Sequence, residues 1–308
     1  MTPKTTPDQW QILATVVDRG GFAQAAQALH RSQSAVSYAL AHLQESLGVQ
    51  LLEIQGRKAQ LTAAGRELLR RSRPVIEQFE RLESLAQSLK QGWESELRLV
   101  VDAAFPQERL LALLGELQNS CPNTTVSLAD AVLSGAEEAI KNREADLVVT
   151  TRVPPNVLGD WLMDVSMIAV AAAGHPLHQQ GSLSLEDLIP YTQVVVRDSG
   201  REHPRDEGWL GAQHRWTVSG VESSLAAVRA GLAYAWLPAN RTAKLIESGE
   251  LKPLPLQAGA TRKMSLYVVL AKGQAAGPAA RTALELLQRH LPANAAIAGD
   301  AASQNTSL

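Results

Sequence analysis

The 308-residue chain holds a single cysteine, Cys121. One thiol excludes an intrachain disulfide framework and any all-cysteine metal cluster within one subunit. No apolar run approaches the roughly 18 residues that a membrane span requires. The opening MTPKTTPDQW also lacks the hydrophobic stretch of an export signal. A cytoplasmic protein with no membrane partner is expected. Catalytic signatures are missing as well: there is no GxSxG elbow, HExxH pair, phosphate loop or GxGxxG opening a strand–helix unit. His175 and His178 flank Pro176 after a glycine, which reads as a turn rather than a metal site. Cys121, followed by Pro122 and lacking a basic neighbour, reads as structural. The expectation is therefore no enzyme, no cofactor and no metal.

Hydrophobic residues make up 45% of the chain and charged residues 19%, enough for sizeable cores. The length suits two or three domains. The net charge of −2 hides an asymmetry, because residues 1–90 hold 11 Lys and Arg against 8 Asp and Glu while the remainder is acidic. A mildly basic head on an acidic body fits a chain of which one part meets DNA.

The head reads as helices. Thr6, Pro7 and Gln9 form a helix start with a capping box, and Trp10, Leu13, Ala14 and Val17 supply an apolar stripe. Gly20 and Gly21 turn the chain into a short second helix through Phe22, Ala25, Ala26 and Leu29. Ser32 caps a third, in which Val36, Leu40, Leu43 and Leu47 recur at buried-stripe spacing. That stripe leaves Gln33, Ser34, Ser37, Tyr38, Ala41 and His42 turned outward. Two short helices, the second polar at its N-terminus, match a helix-turn-helix; a plain three-helix bundle with serine caps fits the pattern equally well. Residues 49–52 and 59–61 read as the strands of a wing around the basic turn Gln55–Gly56–Arg57–Lys58. From Thr62 a long helix begins, its Leu68, Val75, Phe79, Leu82, Ala86 and Leu89 following a mostly heptad-like course that predicts a dimer seam.

The stretch AAQALHRSQSAVSYALAHLQESLGVQLLE, followed by GRKAQLTAAG, resembles the LysR-type transcriptional regulators. Ala25, Ala26, Leu29, Gln33, Ser34, Val36, Ser37, Leu43, Leu47, Gly48, Leu51, Arg57, Leu61, Thr62 and Gly65 fall at the family's signature positions. Leu52 stands where the family usually has phenylalanine, and Ile54 where it usually has arginine, which shifts more of the wing contact to Arg57 and Lys58. The resemblance implies that Gln33, Ser34, Ser37 and Tyr38 face the major groove or its phosphates, with Arg31, His42, Arg57 and Lys58 beside them. A Gln amide can pair bidentately with adenine.

Beyond the head, strands alternate with helices, which predicts an α/β fold with a mostly parallel sheet. Capping boxes are expected at Ser134/Glu137 and Ser219/Glu222. The resemblance implies a winged helix-turn-helix over residues 1–61, a linker and dimerisation helix with hinge over 62–92, and a two-subdomain, periplasmic-binding-protein-like effector domain over 93–292. Subdomain I would comprise 93–163 and 264–292, and subdomain II 164–263; the tail 293–308 is expected to be disordered. Effector candidates come from strand ends and helix starts facing the crossover: Asp102, Ala103, Ala104, Phe105, Ser134, Thr150, Thr151, Asp198, Ser199, Gly200, Ser219 and Gly220.

Asp102–Ala103–Ala104 stands where relatives place hydroxyls, which disfavours a carboxylate effector. Phe105, Trp209 and Trp216 favour an aromatic or phenolic inducer, unless both tryptophans serve a core or a subunit interface. The implied partners are double-stranded DNA, a small-molecule inducer, RNA polymerase and further copies of the chain, as a homodimer pairing into a homotetramer. A cytoplasmic small-molecule-binding protein without regulatory DNA activity would account for residues 95–292, but not for the head or the seam.

Overall fold

The computed structural model describes residues 2–55 and 58–289 and falls into two compact units that part between Gln91 and Gly92. Gly56, Arg57 and the expected tail lie outside the described residues, as do the side chains of Ile54 and Lys58.

The first unit runs α1 (Pro7–Arg19), α2 (Phe22–Ala28), α3 (Gln33–Leu47), β1 (Leu52–Gln55), β2 (Lys58–Leu61) and α4 (Ala63–Lys90). The expected Thr6/Gln9 capping box closes α1, and Gly20 ends it in the left-handed region at φ 79°. The buried face of α1 is rotated from the expected one. Ile12, Leu13, Ala14 and Val16 are buried, whereas Trp10 and Val17 are only partly so, and the Trp10 indole donates to Thr5 Oγ1 at 3.1 Å. Against this face pack Ala25 and Ala26 of α2 and Val36, Leu40 and Leu43 of α3. The alanines permit close helix approach.

The wing begins later than expected because Gln44 Oε1 accepts from the backbone N–H groups of both Leu51 (2.7 Å) and Leu52 (3.1 Å). These donors are thereby lost to a ladder, and β1 pairs with β2 antiparallel from Leu52↔Leu61 onward. Thr62 caps α4 by accepting from Gly65 N–H at 2.9 Å. Leu69 and Ile76 of α4 are buried where it packs along α1, while Val75, Phe79, Leu82 and Leu89 are about half exposed or more.

The second unit comprises β3 (Glu96–Asp102), α5 (Gln107–Ser120), β4 (Thr125–Ala131), α6 (Ser134–Lys141), β5 (Leu147–Thr150), β6 (Asp160–Ala172), β7 (Thr192–Val196), β8 (His214–Val218), α7 (Val221–Arg229), β9 (Ala235–Pro238), α8 (Ala239–Glu247), β10 (Leu251–Pro253), β11 (Thr261–Leu270) and α9 (Pro278–Arg289). The expected mostly parallel sheet is corrected. The large sheet has the order β10-β6-β11-β5-β3-β4, with β9 also on β6. Only β3–β4 and β3–β5 are parallel within it. Those are the pairs joined by crossover helices, as parallel strands require. The other pairs run antiparallel because β6 carries the chain out of the first half of the unit and β11 brings it back. A separate parallel pair, β7–β8, serves the second half.

The largest core lies between β3, β5 and the helices α5 and α9 and includes Phe105 and Cys121. A second lies around α7 and β9. Asp146, buried beside β5, accepts from Arg98 N–H at 2.8 Å and pairs with Lys272 Nζ at 2.8 Å. Burial alone would raise its pKa, but Arg98 and Lys272 outweigh that and hold it below the usual carboxylate range.

Among the described residues of the first unit Gly65 makes the tightest backbone approach, because a Cβ there would collide with the Leu51 carbonyl oxygen. Gly65→Ala is expected to destabilise the first unit by roughly 1–3 kcal/mol through overpacking. Differential scanning calorimetry of the full chain would register this as a lowered first transition; an unchanged profile would refute it.

Candidate functional site

At the start of α3 the Ser32 side chain accepts from Ala35 N–H at 3.1 Å and meets Ser34 Oγ at 3.0 Å. Gln33, Ser34, Ser37, Tyr38 and His42 are all exposed, on the face opposite the buried Val36, Leu40 and Leu43. Tyr38 is 73% exposed, far more than a tyrosine kept for packing. Its ring lies 6.3 Å from that of His42, which also meets Gln9 Nε2 at 3.0 Å. Arg31 donates to both carboxylate oxygens of Asp8, at 2.8 and 2.9 Å, so it would have to exchange that partner to reach a phosphate. One helix end thus presents an amide, hydroxyls, a phenol and an imidazole to solvent. Such a set can read base edges or bind phosphate.

In the second unit the crossover-facing residues do not line one hollow. Ala104 and Phe105 turn into the main core. Asp102 is buried and accepts from Ala104 N–H at 2.9 Å. Thr150 Oγ1 donates to Arg152 O at 2.9 Å. Ala103 and Thr151 are half-buried, and Ser219 is exposed.

Neither expected capping box forms there. The cap of α6 is Leu133 and that of α7 is Gly220, and neither offers a side-chain acceptor. Glu222 pairs with Arg241 instead, at 3.1 Å.

The groups at the start of α6 serve a different contact. Ser134 N–H and Oγ donate to the two oxygens of Asp198, at 3.1 and 2.8 Å. Ser199 Oγ accepts from Val132 N–H at 2.9 Å. Gly135 and Gly200 have no room for a Cβ, since Ser199 and Ser134 occupy those places. The Glu138 carboxylate accepts from the N–H groups of Arg201 (2.8 Å) and Glu202 (3.0 Å), and Glu137 pairs with Arg205. Burial would raise the pKa of Asp198, but the N–H groups of Gly200 and Arg205 and the Ser134 donors hold it low. On another side, Asn240 Nδ2 donates to Ala104 O at 3.0 Å and Lys244 pairs with Glu108 at 3.1 Å.

A cavity of about 610 Å³ lies between the 204–210 segment, β7 and the strands β6 and β11. Trp209, Trp236, Met167, Met264 and Gln193 are among its lining residues, and Val132 and Leu133 close it from the α6 side. Of the expected effector residues only Asp198 borders it. Trp209 and Trp236 stand 6.1 Å apart, and the Arg262 guanidinium sits 5.1 Å over the Trp236 ring. Trp216 does not line the cavity and is about half exposed. Gln193 and Trp236 were missed by sequence reasoning. Trp236 lies on β9, and nothing in the pattern of that strand says which side chains border a hollow.

A helix-turn-helix followed by an α/β unit of two halves with a cavity between them is the architecture of an effector-binding transcriptional regulator. Comparison with known proteins agrees. Residues 7–66 match the model of the bacterial regulatory helix-turn-helix protein, lysR family, and residues 90–292 that of the LysR substrate binding domain. The chain is 33% identical over 253 residues to the probable HTH-type transcriptional regulator YhaJ of Escherichia coli, covering 80% of this chain and 85% of that one. It is 30% identical over 254 residues to the E. coli regulator PunR, covering 80% and 82%. The full-length regulator LysG of Corynebacterium glutamicum with bound effector Arg is similar in fold, with a TM-score of 0.51 and 20% identity, covering 95% of this chain and 98% of that one. The chain belongs to the LysR-type transcriptional regulators and is not an enzyme. Regulators of this family bind DNA and small-molecule effectors. Among the described residues no helix is long and apolar enough to cross a membrane.

Burial is the main cause that pushes the Asp102 pKa up to about 6, with the Ala104 N–H opposing it and Glu207 adding to it. A group raised on folding favours the native state fully below its unfolded pKa, and that contribution disappears as pH rises through the folded one. Asp102→Asn is therefore expected to be more stable than the parent by roughly 2–3 kcal/mol at pH 8, with no advantage near pH 3.5. Urea unfolding at the two pH values would check the sign.

Proposed function

We propose that this regulator reads operator DNA through the N-terminal face of α3, as a dimer formed along α4, and answers an aromatic or phenolic inducer held in the second unit. The exposed polar end of α3 opposite the buried Val36, Leu40 and Leu43 supports the DNA reading most directly. Gln33, Ser34, Ser37 and Tyr38 would meet base edges or nearby phosphates, with His42 at the margin and Arg31, Arg57 and Lys58 supplying positive charge. Residues 1–61 would form the DNA-binding domain, 62–92 the dimerising linker and 93–292 the effector domain, its two halves meeting where β6 and β11 pair around Asp164↔Ser265. The protein would act in the cytoplasm, pair dimers into tetramers and contact RNA polymerase.

The aromatic reading is supported by the cavity beside Trp209 and Trp236 rather than by Phe105, which packs in the core. Inducer binding would change the relative stability of two arrangements of the effector domain, and only differential affinity for the two can do so.

Gln33→Ala is expected to lose about 1–3 kcal/mol of discrimination at one base pair while keeping general DNA affinity. A gel-shift panel of base-substituted operators would reveal this, and an unaltered ranking would sink the assignment. Val75, Phe79, Leu82 and Leu89 supply the exposed seam. Leu82→Glu is expected to yield monomers in sedimentation velocity and to weaken operator binding by roughly a hundredfold through lost bivalency. A variant that stays dimeric would place the seam elsewhere.

A further inference from the structure

Five basic residues line the cavity, Arg197, Arg205, Arg215, Arg262 and Lys263, against the acidic Asp198, Asp206 and Glu207. Arg205 is paired with Glu137. The other four cations form no ion pair among the described residues. The acids are less free. Asp198 accepts from Ser134 Oγ and from the N–H groups of Gly200 and Arg205, at 2.8, 2.8 and 2.7 Å. Glu207 lies 4.0 Å from Arg152. Asp206 is left alone against four cations, an excess of positive charge that favours an anion.

Strand register decides which of these cations turn inward. Side chains alternate along a strand, and residues paired across a ladder share a face. Arg262 of β11 pairs with Met167 of β6, and Met264 follows on the same face. Trp236 of β9 pairs with Ala169, two residues beyond Met167, and so shares that face too. Arg262, Met264, Met167 and Trp236 all line the cavity. Lys263 falls on the opposite face. On β8, Arg215 and Thr217 line the cavity while Trp216 between them does not, so Arg215 also stands on an inward face.

The Arg262 guanidinium is held in place. It lies 5.1 Å over the Trp236 ring and rests against Gly208, where a Cβ would strike its Nη1. Stacking on a ring leaves the N–H edges of a guanidinium free, and those edges bind a carboxylate in bidentate fashion. Beside it stand Trp209 and the thioethers of Met167 and Met264, a wall suited to a planar ring. Elsewhere the donors are already spent. In the turn after β3 the N–H groups of Ala103, Ala104 and Phe105 go to oxygens of the chain itself, and at the start of α6 Asp198 takes the anion's place.

We infer that the cavity takes an aromatic carboxylate, its anion on the Arg262 guanidinium and its ring against Trp209 and the two methionines, with Arg215 adding positive charge from β8. This rests on the reading of the second unit as an inducer-binding domain and deepens it by giving the inducer a charge and a partner.

The test is isothermal titration calorimetry of the full-length protein with benzoate, with benzamide as its uncharged counterpart, and with acetate as the anion without a ring. Benzoate is expected to bind at least about tenfold more tightly than either of the others. Arg262→Gln is expected to lower benzoate affinity about tenfold and to leave benzamide unchanged; Arg215→Gln, at an exposed position, is expected to cost benzoate a smaller, roughly threefold factor. Arg229→Gln removes the same charge from the exposed α7 pair with Glu250, outside the cavity, and is expected to change no affinity.

Benzamide binding as tightly as benzoate would overturn the carboxylate and leave the aromatic reading standing. Acetate matching benzoate would overturn the aromatic class. Failure of all three compounds to bind would remove the aromatic reading and this inference with it. Benzoate binding that both Arg262→Gln and Arg215→Gln leave intact would overturn the site assigned to the anion. The comparison of benzoate with benzamide on the parent protein decides the charge even if Arg262→Gln does not fold.

Discussion

The antiparallel pairing of β6 with β11 is the constraint around which the second unit is arranged. Residues 160–168 of β6 face residues 261–268 of β11, in register from Thr261↔Ile168 to Val268↔Asp160, with a shift between Leu266 and Tyr267. Toward one end β6 also holds β9 and β10; toward the other, β11 holds β5 and through it the parallel strands β3 and β4. Both halves of the unit are therefore ladders built outward from one shared strand pair. Where the pair passes between the halves, Ser265 Oγ donates to Asp164 Oδ1 at 2.7 Å and the Trp161 indole to the same oxygen at 3.2 Å. Met167, Arg262 and Met264, on these two strands, form part of the cavity wall. A change in the strands' twist would reach the cavity and both halves together, since interdigitated strands transmit strain rather than absorb it.

Between the halves, the chain supplies its own anions. A helix N-terminus offers unpaired amide donors and favours negative charge. At α6 that demand is met by Asp198, which arrives from the segment after β7. Glu138 does the reverse, reaching from α6 to accept from the backbone of Arg201 and Glu202. Each half thus provides both the donor and the acceptor of reciprocal contacts, and glycines opposite the serines let the backbones come close enough for these to form. An incoming carboxylate would have to compete with an internal one that has no translational entropy to lose.

The head was more legible in the sequence than the body, for a physical reason. Helix caps and stripes are local. Thr6 with Gln9, Ser32, Thr62, Gly20 and Gly48 act within a few residues, and each does what its spacing predicts. Besides the rotated face of α1, the later start of the wing comes from Gln44, whose amide oxygen accepts from Leu51 and Leu52 N–H from a helix away. In the body the alternation of strands and helices was legible, but the direction of the strands was not. β6 and β11 look like any buried strands, and only long-range pairing turns the sheet antiparallel at its centre. Ser134 and Glu137 have the spacing of a capping box, yet a distant Asp198 and Arg205 claim both side chains. For the site, residue type told more than position did. Aromatic walls were anticipated through Trp209, but Phe105 was misplaced because the turn after β3 aims it into the core. Gln193 carried no local signal at all, since nothing in the pattern of an apolar strand says which of its residues borders a hollow.

The position of the cavity bears on how a ligand could do work. A molecule touching only one half would bind every arrangement of the unit alike and, however tightly held, would shift none of them. This cavity is bounded by Val132 and Leu133 from the first half, by Gln193 and Trp209 from the second, and by Met167 and Met264 from the strands that join them. Any rotation of one half on the other changes its shape. A ring filling it would then bind one arrangement better by the contacts the others lose, and a few such contacts suffice, because a 1.4 kcal/mol difference is already a tenfold change in population. Asp198 stands at the junction of both devices, bordering the cavity while its oxygens hold the start of α6. Occupation of the cavity and closure of the two halves therefore share a side chain, and neither can change without altering the surroundings of the other.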